Sequence, residues 1–180
     1  MKGFGYIGLM ACLLAAGLFL EWCRNRPDEK RALEQSQLQE PLIRVNQNLA
    51  RKESEDIDSY QRRYQLDMQR TGTGLRYHIY TKGAEPLADA EDLATVNFKV
   101  FLLDGTLCYS SDSTGSETFT VDRDDVESGL HEGIKMLGKG GKAKFILPSH
   151  LAHGLMGDDA KIPSRSPVVY DIELIALKKR

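Results

Sequence analysis

Cys108, His150 and His153 bring the residue types of metal ligation and thiol catalysis into the C-terminal half of this chain. A zinc-type site gathers three or four such ligands at short, regular spacings. The two histidines have no ligand-spaced pair with a suitable third partner, so no metal is expected. Cys108 has nothing in its local sequence to activate it as a nucleophile, and it reads as a small apolar wall residue. The run Lys139-Gly140-Gly141-Lys142 lacks the spacing and the final Ser or Thr of a phosphate-binding loop, and reads as a helix end followed by a turn. His78 and His131 suit surface or half-buried positions on a strand and a helix. What remains is a set of aromatic and aliphatic residues, Phe98, Val126, Leu130 and Tyr170, at periodic positions where each alone would be ordinary core.

The chain has 180 residues, 41% of them hydrophobic, enough for one modest core and an appendage. A formal net charge of −2 provides no basic footprint for nucleic acid. From Gly3 to Trp22 the only charged residue is Glu21, and Met1-Lys2 supplies a positive start. An apolar run of roughly 18 residues suits either a membrane-spanning helix or the core of a signal peptide. Both readings place the following domain across a membrane. Cys12 and Cys23 lie within or at the end of this segment, which leaves Cys108 without an intradomain disulfide partner.

Residues 24–71 are rich in Arg, Gln, Glu and Asp and contain no Gly. Leu33, Leu38, Leu42, Val45 and Leu49, then Ile57, Tyr60, Tyr64 and Met68, recur at spacings that predict amphipathic helices, with an interruption at Pro41. The segment reads as a stalk, solvated or pairing two copies of the chain. Beyond it, Val96, Phe98, Val100 and Leu102 alternate with polar residues as in a strand with one buried face. Lys142-Ala143-Lys144-Phe145 and Tyr170-Asp171-Ile172-Glu173-Leu174 alternate in the same way. Asp104-Gly105 supplies a turn, and Asp124 or Asp125 could cap a helix carrying Val126, Leu130, Ile134 and Leu137 on one side. Several strands and one short helix make an α+β domain.

Three segments then carry a resemblance: Val126-Glu127-Ser128-Gly129-Leu130-His131-Glu132-Gly133, Phe145-Ile146-Leu147-Pro148, and Tyr170-Asp171-Ile172-Glu173-Leu174. Together with the start at Thr71-Gly72-Thr73-Gly74-Leu75-Arg76-Tyr77, and with Gly154, Ile162 and Pro163 before the last strand, they resemble the FKBP-type peptidyl-prolyl isomerases over residues 72–180. The resemblance implies a curved antiparallel sheet wrapped around one short helix, here preceded by a helical stalk and the N-terminal hydrophobic segment. It divides the chain into an anchor or signal segment 1–23, a stalk 24–71 and an isomerase domain 72–180. Cys23-Arg24-Asn25-Arg26-Pro27-Asp28-Glu29 further resembles the mature start of gliding-motility-associated lipoproteins of the family, in which the cysteine is lipidated.

The implied chemistry needs no nucleophile, metal or cofactor. Rotating an Xaa-Pro bond breaks amide resonance, at a barrier of about 20 kcal/mol. An apolar cup that holds the twisted, less polar amide better than the planar one lowers that barrier. By resemblance, Phe98, Tyr109, Glu127 through its backbone N–H, His153 and Tyr170 stand at catalytic positions. Cys108, Phe119, Val126, Leu130 and Ile162 stand at substrate-binding ones, with Phe119 a further wall or just behind it. Four positions depart from the family pattern: Leu130 for a tryptophan floor, Cys108 for a phenylalanine, Tyr109 for an aspartate and His153 for a tyrosine donor. A shallower or reshaped pocket and weakened activity follow, and Tyr109 does not replace the aspartate's charge. The partners implied are Pro-containing polypeptides of the cell envelope, the membrane, and a second copy through the stalk. A non-catalytic binding module and a chaperone with incidental isomerisation are the competing functions.

Overall fold

The computed structural model describes residues 27–180, with side chains described from Glu40 onward. The anchor segment and Cys23 lie outside the described residues. The chain divides into one unit ending at Ala50 and a compact unit Arg51–Arg180.

Helix α1 runs from Pro27 to Arg63 with Pro41 inside it, so the interruption expected at Pro41 does not occur. A proline deletes one interior N–H and crowds one turn, at about 3 kcal/mol. The Leu, Gln, Glu and Arg residues flanking it are good helix formers that continue the ladder on both sides.

The strands are β1 Gln69–Arg70, β2 Arg76–Thr81, β3 Ala84–Leu87, β4 Leu93–Leu102, β5 Leu107–Ser110, β6 Glu117–Thr120, β7 Gly138–Lys139, β8 Gly141–Leu147 and β9 Val168–Lys178. Between them lie the single turn α2 Ser111–Thr114, the helix α3 Ser128–Ile134 and a 3-10 turn Ser149–Leu151. The main sheet has the order β1-β2-β8-β9-β4-β5, with β6 pairing the Leu93–Val96 end of β4. All these pairings are antiparallel, and β4 with β9 forms the longest ladder. The α+β architecture expected from the alternating patterns is thus present, with α3 against the sheet.

The inner face buries Ala94, Val96, Val100, Phe145, Leu147, Ile172 and Leu174 against Leu130 and Ile134 of α3. This packing is close because α3 faces the sheet with glycines one turn apart. A Cβ on Gly129 would stand 2.6 Å from Leu147 Cγ, and one on Gly133 would stand 2.8 Å from the Phe145 ring. Neither the expected cap nor the expected length of this helix holds. Glu127 is the N-cap residue, while the Asp124 carboxylate turns back to accept the Thr120 N–H at 2.6 Å. Val126 precedes the helix and Leu137 follows it. Likewise, residues 139–142 are not a helix end: Lys139 closes β7, and Gly140, at φ +81°, turns the chain into β8.

The outer face is covered too. Ile57 and Tyr60 near the end of α1 pack on Ile146 and Val169, joined by Leu66, Met68, Phe101 and Leu103. Arg76, only 5% exposed, ties the same part of α1 to β2: its Nη2 donates to Asp58 Oδ1 at 2.6 Å and Ser54 Oγ at 3.1 Å, and its Nε donates to Gln61 Oε1 at 3.2 Å. Glu53 accepts both the backbone N–H and the hydroxyl of Ser149. Residues read from sequence as the end of a stalk therefore form a layer of the compact unit. Replacing Ile57, 1% exposed, opens a cavity on Ile146 and Val169. In urea denaturation of the full chain, Ile57→Ala should lower the unfolding free energy by about 2–5 kcal/mol.

Candidate functional site

A cavity of about 750 Å³ opens where β4, β9, the start of α3 and the loop after the 3-10 turn converge. Its apolar lining comes from Phe98 and Val100 on β4, Tyr170 on β9, Val126, Leu130 and Ala152. The Phe98 and Tyr170 rings meet at 6.4 Å between centroids with 44° between their planes. Strand alternation puts both on one face, and the β4–β9 register, Phe98 opposite Ile172 and Val100 opposite Tyr170, brings the rings diagonally together.

The start of α3 supplies the polar end. Glu127 caps the helix by position without a side-chain capping bond. Its carboxylate Oε1 accepts the Tyr170 hydroxyl at 2.8 Å. Burial, then the negative charge of Glu127 and this bond, push the Tyr170 hydroxyl well above its ordinary range, so it remains a proton donor. The backbone N–H of Glu127 has no partner among the described residues. His153 Nε2 lies 2.9 Å from the same Glu127 oxygen, but off the N–H axis, so that buried nitrogen makes no hydrogen bond.

The loop carrying His153 is fixed by Asp158. Its Oδ1 accepts the backbone N–H groups of Ala160, Lys161 and Ile162 at 3.0, 2.9 and 2.7 Å, and its other oxygen accepts the Tyr109 hydroxyl. Burial acts to raise the Asp158 pKa, but the Tyr109 and backbone donors outweigh it and hold the carboxyl at about 2. Tyr109 is thus tied to a carboxylate 49 residues away in the chain. Gly157, at φ +78°, permits the closure, since a Cβ there would stand 2.3 Å from Ile162 O.

Seven of the residues singled out from sequence line the cavity: Phe98, Tyr109, Val126, Glu127, Leu130, His153 and Tyr170. Cys108, Phe119 and Ile162 are buried in the surrounding core and are not on its wall. The Cys108 thiol is pushed up by burial and by the Asp158 charge, which leaves it protonated. Phe119 meets His131 edge-on at 5.7 Å, and Glu117, at the start of the same strand, lines the cavity. Sequence reasoning missed Asp158, Glu117 and the side-chain role of Glu127. Gly157-Asp158-Asp159 ahead of Lys161-Ile162-Pro163 is an Asx-turn signal that could have identified Asp158. Among the described residues no group of three or more His, Cys, Asp or Glu side chains is placed to hold a metal.

The profile of the FKBP-type peptidyl-prolyl cis-trans isomerases matches residues 85–175. The chain belongs to this family. It is 37% identical over 109 residues to the FKBP-type peptidyl-prolyl cis-trans isomerase FkpA of Aeromonas hydrophila, covering 61% of this chain and 40% of that protein. It is 35% identical over 108 residues to the Escherichia coli K12 FkpA, covering 60% and 39%. The chain therefore spans about two fifths of the length of these curated relatives. The crystal structure of Escherichia coli FkpA superposes with a TM-score of 0.60 at 26% identity, over 93% of this chain and 82% of that one. That of AtFKBP13 gives 0.58 at 26% identity, over 63% and 99%. The FKBP fold is thereby established for the part of the chain that builds the cavity.

The Asp158 anchor has a defined pH window. Its folded pKa of about 2 lies below the unfolded value of about 3.9, so its contribution is complete above the unfolded value and is lost as pH falls through the folded one. Amide chemical shifts of Ala160, Lys161 and Ile162 should stay constant from neutral pH to about 4 and change together towards pH 2. In Asp158→Asn they should already be displaced at neutral pH.

Proposed function

We propose that this protein is a peptidyl-prolyl cis-trans isomerase acting on Xaa-Pro bonds of exported or cell-envelope polypeptides. The observation that carries the reading is the crossed Phe98–Tyr170 pair beside the unpaired backbone N–H of Glu127, in a cavity of FKBP topology. Phe98, Tyr170, Val126 and Leu130 would enclose the proline ring. The Glu127 N–H would hold the carbonyl of the rotating amide. His153 would donate from the loop, and Tyr109 would act through Asp158 by keeping that loop in place. Catalysis then rests on the walls favouring the twisted amide, which has lost resonance and polarity, over the planar one. No group needs to form a bond to the substrate.

The N-terminal apolar segment supports export and tethering, by an uncleaved helix or by a lipid on Cys23 as in the gliding-motility lipoproteins it resembles. Leu42, Val45 and Leu49 are exposed at helical spacing on α1, which supports pairing of two copies along this helix. One observation favours a binding module that does not turn over: Glu117 and Glu127 place carboxylates in a cup whose chemistry asks for low polarity.

An NMR exchange or protease-coupled assay of the full chain on a panel of Xaa-Pro peptides separates the two. Acceleration that falls by about tenfold or more in Tyr170→Ala or Phe98→Ala, with unchanged circular dichroism, is the expected outcome. A folded protein that accelerates no peptide of the panel leaves the binding module.

A further inference from the structure

The walls of the cavity are more acidic than an apolar proline cup requires. Glu117, Asp125, Glu127 and Asp158 line it, while no Lys or Arg does among the described residues. Asp158 is satisfied by Tyr109 and three backbone N–H groups and belongs to the loop anchor. No Lys or Arg compensates the other three, and only Glu127 has a histidine beside it. Glu127, with its side chain 13% exposed, receives the neutral Tyr170 hydroxyl on Oε1, with His153 Nε2 2.9 Å from the same oxygen, while Oε2 meets no partner. The carboxylates of Glu117 and Asp125 make no hydrogen bond or ion pair among the described residues.

Nearby cations are committed elsewhere. Lys161 Nζ donates to Cys108 O at 2.7 Å and lies 5.0 Å from the Tyr109 ring centroid. Lys99 pairs with Asp112 at 2.8 Å, and Arg123 with Glu91. His153 is the one titratable base on the wall, and its nitrogen is off-axis to Glu127. Glu117 and Asp125 are exposed at the rim and Glu127 is half-buried, so together they give the cavity a negative field that no Lys or Arg on its wall offsets. Desolvation and the neighbouring Glu127 charge also push Glu117 up, so the two carboxylates repel each other. A cation delivered by the ligand would relieve both.

We infer that the cavity selects Xaa-Pro segments carrying Lys or Arg next to the proline, with the cationic head pairing with Glu127 and Glu117. The inference rests on the isomerase reading of the same cavity and names its substrate class. At about 750 Å³ the cavity holds a proline ring together with a long neighbouring side chain. The methylene stem of Lys or Arg would lie along Val126 and Leu130, its head reaching the acidic end, as such side chains do where apolar surface meets charge. Glu127 is then a specificity-determining residue as well as the source of the backbone donor.

The test uses the full chain with peptides that differ only beside the proline: Lys-Pro and Arg-Pro against the uncharged, similarly shaped norleucine-Pro and citrulline-Pro. Both kcat/KM for isomerisation and Kd by calorimetry are measured, at low and high salt. The expected result is a cationic preference of about tenfold or more at low salt, reduced at high salt and collapsing towards one in Glu127→Gln. Because the ratio is taken within one protein, a general loss of stability in the variant does not imitate that collapse. Equal rates for cationic and neutral peptides would overturn the selectivity and leave the isomerase standing. A cationic preference in Kd without acceleration of any peptide would overturn the isomerase and uphold the selectivity. A preference that survives in Glu127→Gln would overturn the assignment to Glu127, and absence of both binding and acceleration would overturn both readings.

Discussion

The close seating of α3 in the concave face of the sheet is the constraint on which the rest of the molecule depends. Gly129 and Gly133 leave no side chain between the helix and Leu147 and Phe145, so the helix axis approaches the sheet more closely than larger residues would allow. That approach fixes where the helix begins. Val126, Glu127 and Leu130 then stand opposite Phe98 and Tyr170, and a cavity rather than a filled core results at this end. Farther along the same face Ile134, Leu137, Phe145 and Leu174 are fully buried, and the space closes. The cavity is thus the unfilled end of the hydrophobic core.

Polar groups at that end hold one another in place. Tyr170 is a core residue by burial, yet its hydroxyl must find an acceptor, and Glu127 at the helix start is that acceptor. The cap position is consequently occupied by a residue whose side chain faces the sheet and not its own helix, and its backbone N–H has no partner among the described residues, since Leu130 stands where a capping-box Glu or Gln would reach back to it. Across the cavity, Tyr109 and Asp158 form a second hydroxyl–carboxylate pair that pins the loop bearing His153. Each pair links a strand to a non-strand segment. The cavity is therefore bounded by groups whose positions are set by the sheet.

The outer face of the sheet carries the other lesson. Phe145-Ile146-Leu147 and Val168-Val169-Tyr170 are buried at every position, because α1 covers the side that an isolated antiparallel sheet would expose. Ile57 and Tyr60, with the Arg76 clamp to Asp58, Ser54 and Gln61, make the end of the long helix part of the domain. The mixture of charged and apolar residues over 51–63 is the pattern of a helix lying on a surface, which sequence alone does not separate from a solvated stalk.

By itself the sequence determined the α+β architecture, the alternating faces of β4, β8 and β9, and the aromatic and aliphatic side of the cavity. Period-two alternation and the Val126–Gly133 phrase are local signals, and side-chain direction along a strand follows from them directly. The family motif also located Glu127 and His153. Tertiary structure alone decided which of the predicted wall residues reach the cavity: Cys108, Phe119 and Ile162 are buried in the core cluster instead. It decided the partner of Tyr109, 49 residues away at Asp158, and the partner of Tyr170, 43 residues away at Glu127. These are pairings of groups brought together by chain closure, and no local pattern of residue types specifies them.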